Sequence, residues 1–412
     1  MSESISDFVV VPEDAARKFR EHLGLQPSQT PRIAFLAGPG DVAGTFDHWI
    51  SGSFDPRVPV VAYSTMFYTL IDKLQAIALL IAEPTNIPEN RDPRFRFVSI
   101  PRPRPVGRLS YCRANFAFSR RVVRELQSYE PHVVLVGTDT PWWIMSSIPR
   151  STKIILTAHN NFWAMGRKSL SWKQRLKRRI ESSGLRRVTA GVCTSEETRR
   201  QVIELSGKDG QRLYTEVPQV LARFLASAPR DGQLRTILFL GRLQAEKGVF
   251  DLLEAFEGIA DRHPDTTLSF AGSGEAEDEL RRRATSSRYG DRIRLLGRLN
   301  AEDVHQQLAE TDVLVCPTRS EFPEGLALVV LEAAVHGVPT ILSSVVPAKE
   351  LVVDGCLEFP ADDTEALEAS LKSLAADVQK LQQLRAKVTE GRERFFNRSL
   401  SWGTMLYSAL LW

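Results

Sequence analysis

Two cations set close behind a glycine, Arg242 and Lys247, are the residues whose type and spacing most directly suggest chemistry. They lie in Leu240-Gly241-Arg242-Leu243 and, four residues on, Lys247-Gly248, between an apolar run at 236–240 and an amphipathic pattern at 249–259. A glycine turn at the carboxyl end of a buried strand is where an open α/β sheet takes an anionic ligand. Arginine presents a planar fork of donors and lysine a mobile point charge. Together they can clamp a diphosphate and neutralise charge growing on a leaving phosphate without a metal. A basic pair standing alone is more often two solvated surface cations, so the surrounding segments decide.

The deciding segment is Ser320-Glu321-Phe322-Pro323-Glu324-Gly325-Leu326-Ala327-Leu328-Val329-Val330-Leu331-Glu332-Ala333. Pro323 and Gly325 mark a loop, and the apolar run behind them opens a buried helix whose first N–H groups and positive dipole end suit a phosphate. Glu324 stands at the mouth and Glu332 inside the helix. Carboxylates accept hydrogen bonds from sugar hydroxyls, so one can read a donor sugar and the other its ribose. The alternatives are a buried Glu332 paired with a cation and a Glu324 that favours the helix dipole.

In the first half, Gly38-Pro39-Gly40-Asp41-Val42-Ala43-Gly44 follows an apolar run at 33–37, and His159 closes another in Leu156-Thr157-Ala158-His159-Asn160-Asn161. Both positions are carboxyl ends of expected strands, where sites form; a glycine turn or a lone histidine is otherwise commonplace. Ser195, in Thr194-Ser195, reads as an ordinary N-cap. Trp142 and Trp143 can stack on a sugar acceptor or fill the core. Between Arg167 and Arg187 stand nine Lys or Arg and one acid, Glu181, with Trp172, Leu176 and Ile180 at helical spacing. Such a helix either rests on anionic lipid, as a lipid-linked acceptor would favour, or packs by its apolar stripe with a solvated basic face.

The elements that must position these residues are short apolar runs alternating with helical patterns. Runs at 33–37, 60–63, 77–82, 132–136, 154–157 and 188–193, then 236–240, 267–271, 293–296, 313–316 and 340–343, predict parallel strands. The alternation breaks at 222–233, a stretch of Ala, Ser, Pro, Asp and Gly without periodicity. The expected fold is therefore α/β, two Rossmann-like domains at 31–222 and 234–395. Residues 1–30 form an extension with a helical pattern at 13–23. At 396–412, Trp402, Met405, Leu406, Ala409 and Leu410 share one helical face.

Composition narrows the class. The 412 residues hold 53 basic and 50 acidic side chains, a net charge of +3, which does not point to nucleic acid. Cys112, Cys193, Cys316 and Cys356 are too scattered for a zinc site or a disulfide scaffold, which suits a reducing cytosol. No apolar leader opens the chain, and no run approaches the roughly 20 apolar residues of a membrane span. A cytoplasmic protein is expected, peripheral at the inner membrane face if it meets a membrane. No acidic metal cage is visible, so no metal or other cofactor is expected beyond a nucleotide-sugar co-substrate.

Gly241-Arg242-Leu243 with Lys247-Gly248, Ala271-Gly272-Ser273-Gly274, Leu296-Gly297-Arg298-Leu299, and Glu324 and Glu332 separated by seven residues, in that order, resemble the retaining GT-B glycosyltransferases of family 4, which implies that the two domains face across a cleft, 31–222 taking an acceptor and 234–395 a nucleotide-sugar donor. The resemblance implies that Arg242 and Lys247 hold the donor diphosphate, Glu324 faces the donor sugar and Glu332 takes the ribose. It implies that Gly297, Arg298 and Leu299 lie beside the base and that amides near Leu326, Ala327 and Leu328 meet the phosphates. It places Gly241 and Gly272 in the donor site, brings Gly44 and His159 in from the first domain, and sends the terminal helix back across to that domain. Family members usually have Phe and Gly at 326 and 327, a change to be tolerated because amides do the binding. A glycine pair usually precedes the acid matching Glu350, where this chain has Val346-Pro347-Ala348-Lys349.

The expected reaction is transfer of a sugar from a nucleotide-sugar to a hydroxyl of a glycan, lipid-linked or small-molecule acceptor, with retention, in glycan, polysaccharide or glycolipid synthesis. The rival readings are a nucleotide-sugar epimerase or sugar phosphorylase on the same fold, and a non-enzymatic carbohydrate-binding protein.

Overall fold

The computed structural model describes residues 3–38, 40–55, 60–83, 88, 91–103, 107–165, 172–225 and 231–412. Thus Pro39, residues 167–171 of the basic segment and 226–230 of the expected linker lie outside the described residues.

Among the described residues thirteen strands form two sheets, parallel throughout. The first holds β1 (Arg32–Leu36), β2 (Ile77–Ala82), β3 (Phe95–Ser99), β4 (Val133–Gly137), β5 (Lys153–Ala158), β6 (Ala190–Cys193) and β7 (Leu213–Thr215), in the order β3-β2-β1-β4-β5-β6-β7. The second holds β8 (Thr236–Leu240), β9 (Thr267–Ala271), β10 (Ile293–Gly297), β11 (Val313–Cys316), β12 (Thr340–Ser343) and β13 (Cys356–Phe359), in the order β10-β9-β8-β11-β12-β13. In each sheet the strand order reverses once, beside β1 and beside β8, and at such a point the loops leave the carboxyl ends in opposite directions to open a crevice.

Helices α1 (Ala15–His22), α2 (Val42–Ile50), α3 (Tyr63–Lys73), α4 (Arg108–Tyr129), α5 (Trp142–Ser147), α6 (Trp172–Leu185) and α7 (Glu196–Ser206) accompany the first sheet in sequence. The second is followed through by α8 (Val249–Ala260), α9 (Glu277–Ser286), α10 (Ala301–Glu310), α11 (Leu328–Val335), α12 (Thr364–Ala376) and α13 (Val378–Gly391), and α14 (Trp402–Leu410) ends the order. Because side chains alternate across a strand, β1 sends Ile33 and Phe35 into one apolar cluster and Ala34 and Leu36 into another. Likewise Ile237 and Phe239 of β8 face one cluster and Leu238 the other. Both sheets are covered on both faces, which is why their central strands read as unbroken apolar runs.

The cluster under Ile33 and Phe35 also takes Phe8, Val9 and Phe19 from the start of the chain and Trp402, Leu406 and Leu410 from α14. The terminal helix therefore packs on the first sheet. Val10 donates its N–H to Thr404 Oγ1 at 2.8 Å, and Lys73 Nζ donates to Val9 O at 2.8 Å. The helical pattern at 13–23 is α1.

The expected strand at 60–63 is not one. Val60 makes only an isolated antiparallel bridge to Val220, and Tyr63 already begins α3, seven of whose eleven residues are buried. Strands β3, β7 and β13 had no counterpart among the expected runs. Among the described residues no helix is long and apolar enough to cross a membrane.

Candidate active site

The carboxyl ends of β8, β9 and β10 are stitched together by backbone: Gly241 N–H donates to Ala271 O at 2.9 Å and Gly272 N–H to Gly297 O at 2.7 Å. Gly272 has φ +140°, and a Cβ there would stand 1.8 Å from Gly241 O, so only glycine lets these turns close. Gly248 ends the 3₁₀ turn Ala245–Lys247 at φ +73°, where a Cβ would meet Pro317 O at 2.0 Å. That approach presses the turn bearing Lys247 onto the loop after β11.

The ammonium of Lys247 is ion-paired with Glu324, whose Oε2 also accepts from Thr318 Oγ1 at 3.0 Å. Both side chains are buried, 13% and 8% exposed. Lys247 Nζ lies 4.2 Å and the Arg242 guanidinium carbon 5.7 Å from the centre of the Phe322 ring, so both cations meet one aromatic ring. Arg242 is exposed. Glu324 is thus not merely a dipole-favouring acid: its carboxylate and the Lys247 ammonium occupy one spot.

The loop bearing Glu324 also reaches the first sheet. Asn161 Nδ2 donates to Glu324 O at 2.6 Å, Thr198 Oγ1 donates to Asn161 Oδ1 at 2.7 Å, and Ser195 accepts from Thr198 N–H at 3.1 Å as the N-cap of α7. A Cβ on Gly325 would come within 2.9 Å of His159 O. A second link joins Glu350 Oε2 to the N–H of Glu196 at 3.2 Å, and burial raises the Glu350 carboxyl above its ordinary value.

His159 follows β5 directly, with its ring 4.3 Å from that of Tyr63, and among the described residues its Nδ1 has no hydrogen-bond partner. Burial lowers its pKa to about 4, so the imidazole is neutral at pH 7. The Tyr63 hydroxyl donates to Glu216 Oε1 at 2.8 Å. Glu216 is wholly buried, its other oxygen is without a partner among the described residues, and burial pushes its pKa up to about 8. Neither Tyr63 nor Glu216 was singled out from sequence. The one signal was a lone acid in a segment, 213–221, that is otherwise largely buried.

Glu332 lies half-buried on α11, and no hydrogen bond or ion pair with the described residues reaches its carboxylate. The cation-paired alternative is therefore not realised, and burial raises its pKa to about 7. Helix α11 starts from Ala327, which adopts the left-handed φ +65° and ψ +70°, with Leu326 buried before it and Leu328 exposed after it. Leu299 is half-buried and Arg298 exposed beyond Gly297. Gly44 differs from the expected phosphate-facing loop: it sits in the first turn of α2, where its N–H is taken by the N-cap Asp41 at 2.8 Å.

Beside Asn160 and Asn161 opens a cavity of about 760 Å³ bounded by α4, α5 and α6. Trp142 lines it half-exposed, while Trp143 donates its indole N–H to Ser119 and packs against the core. Among the described residues no group of three or more His, Cys, Asp or Glu is placed to hold a metal.

Two family models match the chain, Glycosyltransferase Family 4 over residues 77–215 and Glycosyl transferases group 1 over residues 223–391. Glycogen synthase of Mycobacterium tuberculosis is 35% identical over 156 residues, 37% of this chain and 37% of its own length. A GDP-mannose-dependent monoacylated alpha-(1-6)-phosphatidylinositol monomannoside mannosyltransferase of Corynebacterium glutamicum is 37% identical over 125 residues, 28% of this chain and 32% of its own. The chain thus spans about a third of the length of these relatives. The crystal structure of HepE of Anabaena in complex with UDP superposes with a TM-score of 0.62 at 15% identity, over 89% of this chain and 96% of that one. Sucrose-phosphate synthase of Thermosynechococcus elongatus does so with 0.65 at 17% identity, over 91% and 96%. At such identities the structural likeness is one of fold, while the two models take in the first sheet apart from β1, the whole second sheet, and the Arg242, Lys247, Glu324 and Glu332 segments. The chain belongs to the family 4 glycosyltransferases, on the GT-B fold.

Proposed function

We propose that the protein transfers a sugar from a nucleotide-sugar donor to an acceptor hydroxyl, with the anomeric configuration retained, in the synthesis of a glycan, polysaccharide or glycolipid. The observation that carries this reading is the convergence of Arg242, Lys247 and Glu324 at the carboxyl ends of β8 and β11, against the His159 loop of the first sheet. Leaving of a nucleoside diphosphate puts charge on the phosphates. Arg242, Lys247 and the free amides that open α11 are positioned to stabilise it, so the step needs no divalent ion.

Glu324 accepts hydrogen bonds from donor-sugar hydroxyls, and the partnerless Glu332 accepts them from the ribose. The neutral His159 offers the sugar a hydrogen bond without a competing positive charge. Gly297, Arg298 and Leu299 border the base. Retention rests on the family resemblance. The division into an acceptor lobe at 31–222 and a donor lobe at 234–395 follows from the same assignment, as does a cytoplasmic location where nucleotide sugars are available. UDP bound to HepE, and the glycogen synthase and mannosyltransferase relatives, agree with a nucleotide-sugar donor.

The test is a thermal-shift screen of nucleoside diphosphates and their sugars, since a ligand bound only by the folded state raises Tm. One nucleotide family should shift it, and the shift should shrink in Arg242→Ala. If no nucleotide shifts Tm, the donor assignment fails.

A further inference from the structure

The backbone of His159 is held against the loop that bears Glu324, because a Cβ on Gly325 would come within 2.9 Å of His159 O. The plane of its ring is a separate matter. The last torsion of a histidine side chain is broad, so a working imidazole is ordinarily oriented by a hydrogen bond at its other nitrogen. Among the described residues Nδ1 of His159 has no such partner. The ring is left to its stack: Tyr63 lies 4.3 Å away with 31° between the planes, and Trp402 backs both rings, 5.4 Å from Tyr63 and 6.4 Å from His159.

Trp402 is wholly buried, whereas Tyr63, the first residue of α3, is half-buried, so its ring needs a tie of its own. That tie is the 2.8 Å hydrogen bond from its hydroxyl to Glu216 Oε1. Glu216 follows β7 and is anchored on both sides by backbone: its N–H donates to Cys193 O of β6 at 3.0 Å, and the N–H of Val217 donates to Leu400 O at 2.9 Å, just before α14. A wholly buried carboxyl whose second oxygen has no partner among the described residues destabilises a fold relative to an apolar side chain, and such groups gather at functional sites. Burial keeps this carboxyl protonated at pH 7, so the tie puts no charge beside the imidazole.

We propose that Tyr63 and Glu216 are positioning residues for His159: Glu216 holds the Tyr63 hydroxyl, the stacked Tyr63 ring sets the plane of the imidazole, and the imidazole so set meets a hydroxyl of the donor sugar. The proposal rests on the glycosyl-transfer reading and deepens it. Recognition of the sugar, unlike that of the nucleotide, then depends on two residues that act only through His159.

Calorimetric titration of the full chain with UDP-glucose, UDP-N-acetylglucosamine, GDP-mannose and ADP-glucose, each beside its own nucleoside diphosphate, tests it. His159→Ala should weaken the nucleotide sugar about tenfold, the upper worth of one hydrogen bond, and leave the diphosphate within about twofold. Tyr63→Leu should do the same. Tyr63→Phe and Glu216→Leu, which break the tie but keep the ring, should weaken the nucleotide sugar about threefold, and Glu216→Gln, which keeps an acceptor for the hydroxyl, should restore it. On a His159→Ala background none of these changes should weaken it further, because residues that act through one group are not additive. Full sugar affinity in both Tyr63→Phe and Glu216→Leu, or an undiminished further loss on the His159→Ala background, overturns the proposal. So does full sugar affinity in His159→Ala, or a diphosphate that binds while none of its sugars does. A loss that falls equally on the diphosphate and comes with a lowered Tm overturns it as well, since the pair would then only hold the fold. If a diphosphate binds in any of these cases, only the positioning role fails; if none of the diphosphates binds, the glycosyl-transfer reading itself fails.

Discussion

Lys247 and Glu324, 77 residues apart, are joined in an ion pair that water barely reaches, and the same two side chains hold the middle of the proposed donor site. Lys247→Ala therefore strands a buried carboxylate, which costs about 3 kcal/mol or more, whereas Arg242 is exposed. We expect Arg242→Ala to lower turnover at least a hundredfold with Tm unchanged, and Lys247→Ala to lower both. Calorimetry alongside a transfer assay checks this. Near-normal turnover in both variants would remove the diphosphate assignment.

Ala327 holds a left-handed backbone that crowds its Cβ, at a cost of about 1–2 kcal/mol, partly offset by the greater freedom glycine has in the unfolded chain. Ala327→Gly should stabilise the protein by roughly 0.5–1 kcal/mol in urea melts, with nucleotide affinity kept. A destabilised variant would show that the methyl is needed for packing under α11.

Stability should fall between pH 6.5 and 8. Glu216 and Glu332, with pKa values raised from 4.5 to about 8 and about 7, keep their protons in the folded state while the unfolded chain has lost them. The folded state thus binds more protons there, and each such group costs up to about 1.4 kcal/mol per pH unit as pH rises. His159 acts oppositely, but only between about 4 and 6.5, where the unfolded imidazole is protonated and the folded one is not. Urea melts from pH 6.5 to 8 should slope downward for the wild type and flatten in Glu216→Gln. An equal slope in that variant would show that Glu216 is already ionised.

Closure of the two lobes over the donor is expected, because the Asn161 to Glu324 hydrogen bond joins two loops and the Glu196 to Glu350 one joins the first residue of α7 to a short 3₁₀ turn, and such links move more readily than packed cores. Small-angle scattering should show a smaller radius of gyration at saturating nucleoside diphosphate. Glu332→Ala should weaken that ligand tenfold or more by calorimetric titration. An unchanged radius would mean a preformed cleft, and unchanged affinity would take Glu332 off the ribose.

The α/β architecture was legible because the central strands, covered on both faces, are continuous apolar runs. The three strands that had no counterpart, β3, β7 and β13, are edge strands, and their partial exposure interrupts the apolar pattern that marks the others. Val60 and Val61 read as a strand by β-branching, yet the chain offers them only Val220 and Gln219 before α3 begins. The meeting of Arg242, Lys247 and Glu324 was foreshadowed because each stands in the connection that follows a strand of one sheet. Tyr63 and Glu216 were not, since a hydrogen bond across 153 residues leaves no local spacing to read. The place of Gly44 in the first turn of a helix was not legible either, because it depends on Asp41 acting as the N-cap.

The packing of Phe8, Phe19, Trp402 and Leu406 in one cluster fixes the order in which this chain can mature. A polypeptide is folded as it leaves the ribosome, and the first sheet is complete in sequence at β7, long before residues 402–410 are made. Throughout synthesis of the second sheet, the face under Ile33 and Phe35 lacks its last cover and is open to aggregation or a chaperone. A fragment stopping after β7 should for the same reason be insoluble when expressed alone, and should be rescued by adding a peptide of residues 396–412 in trans.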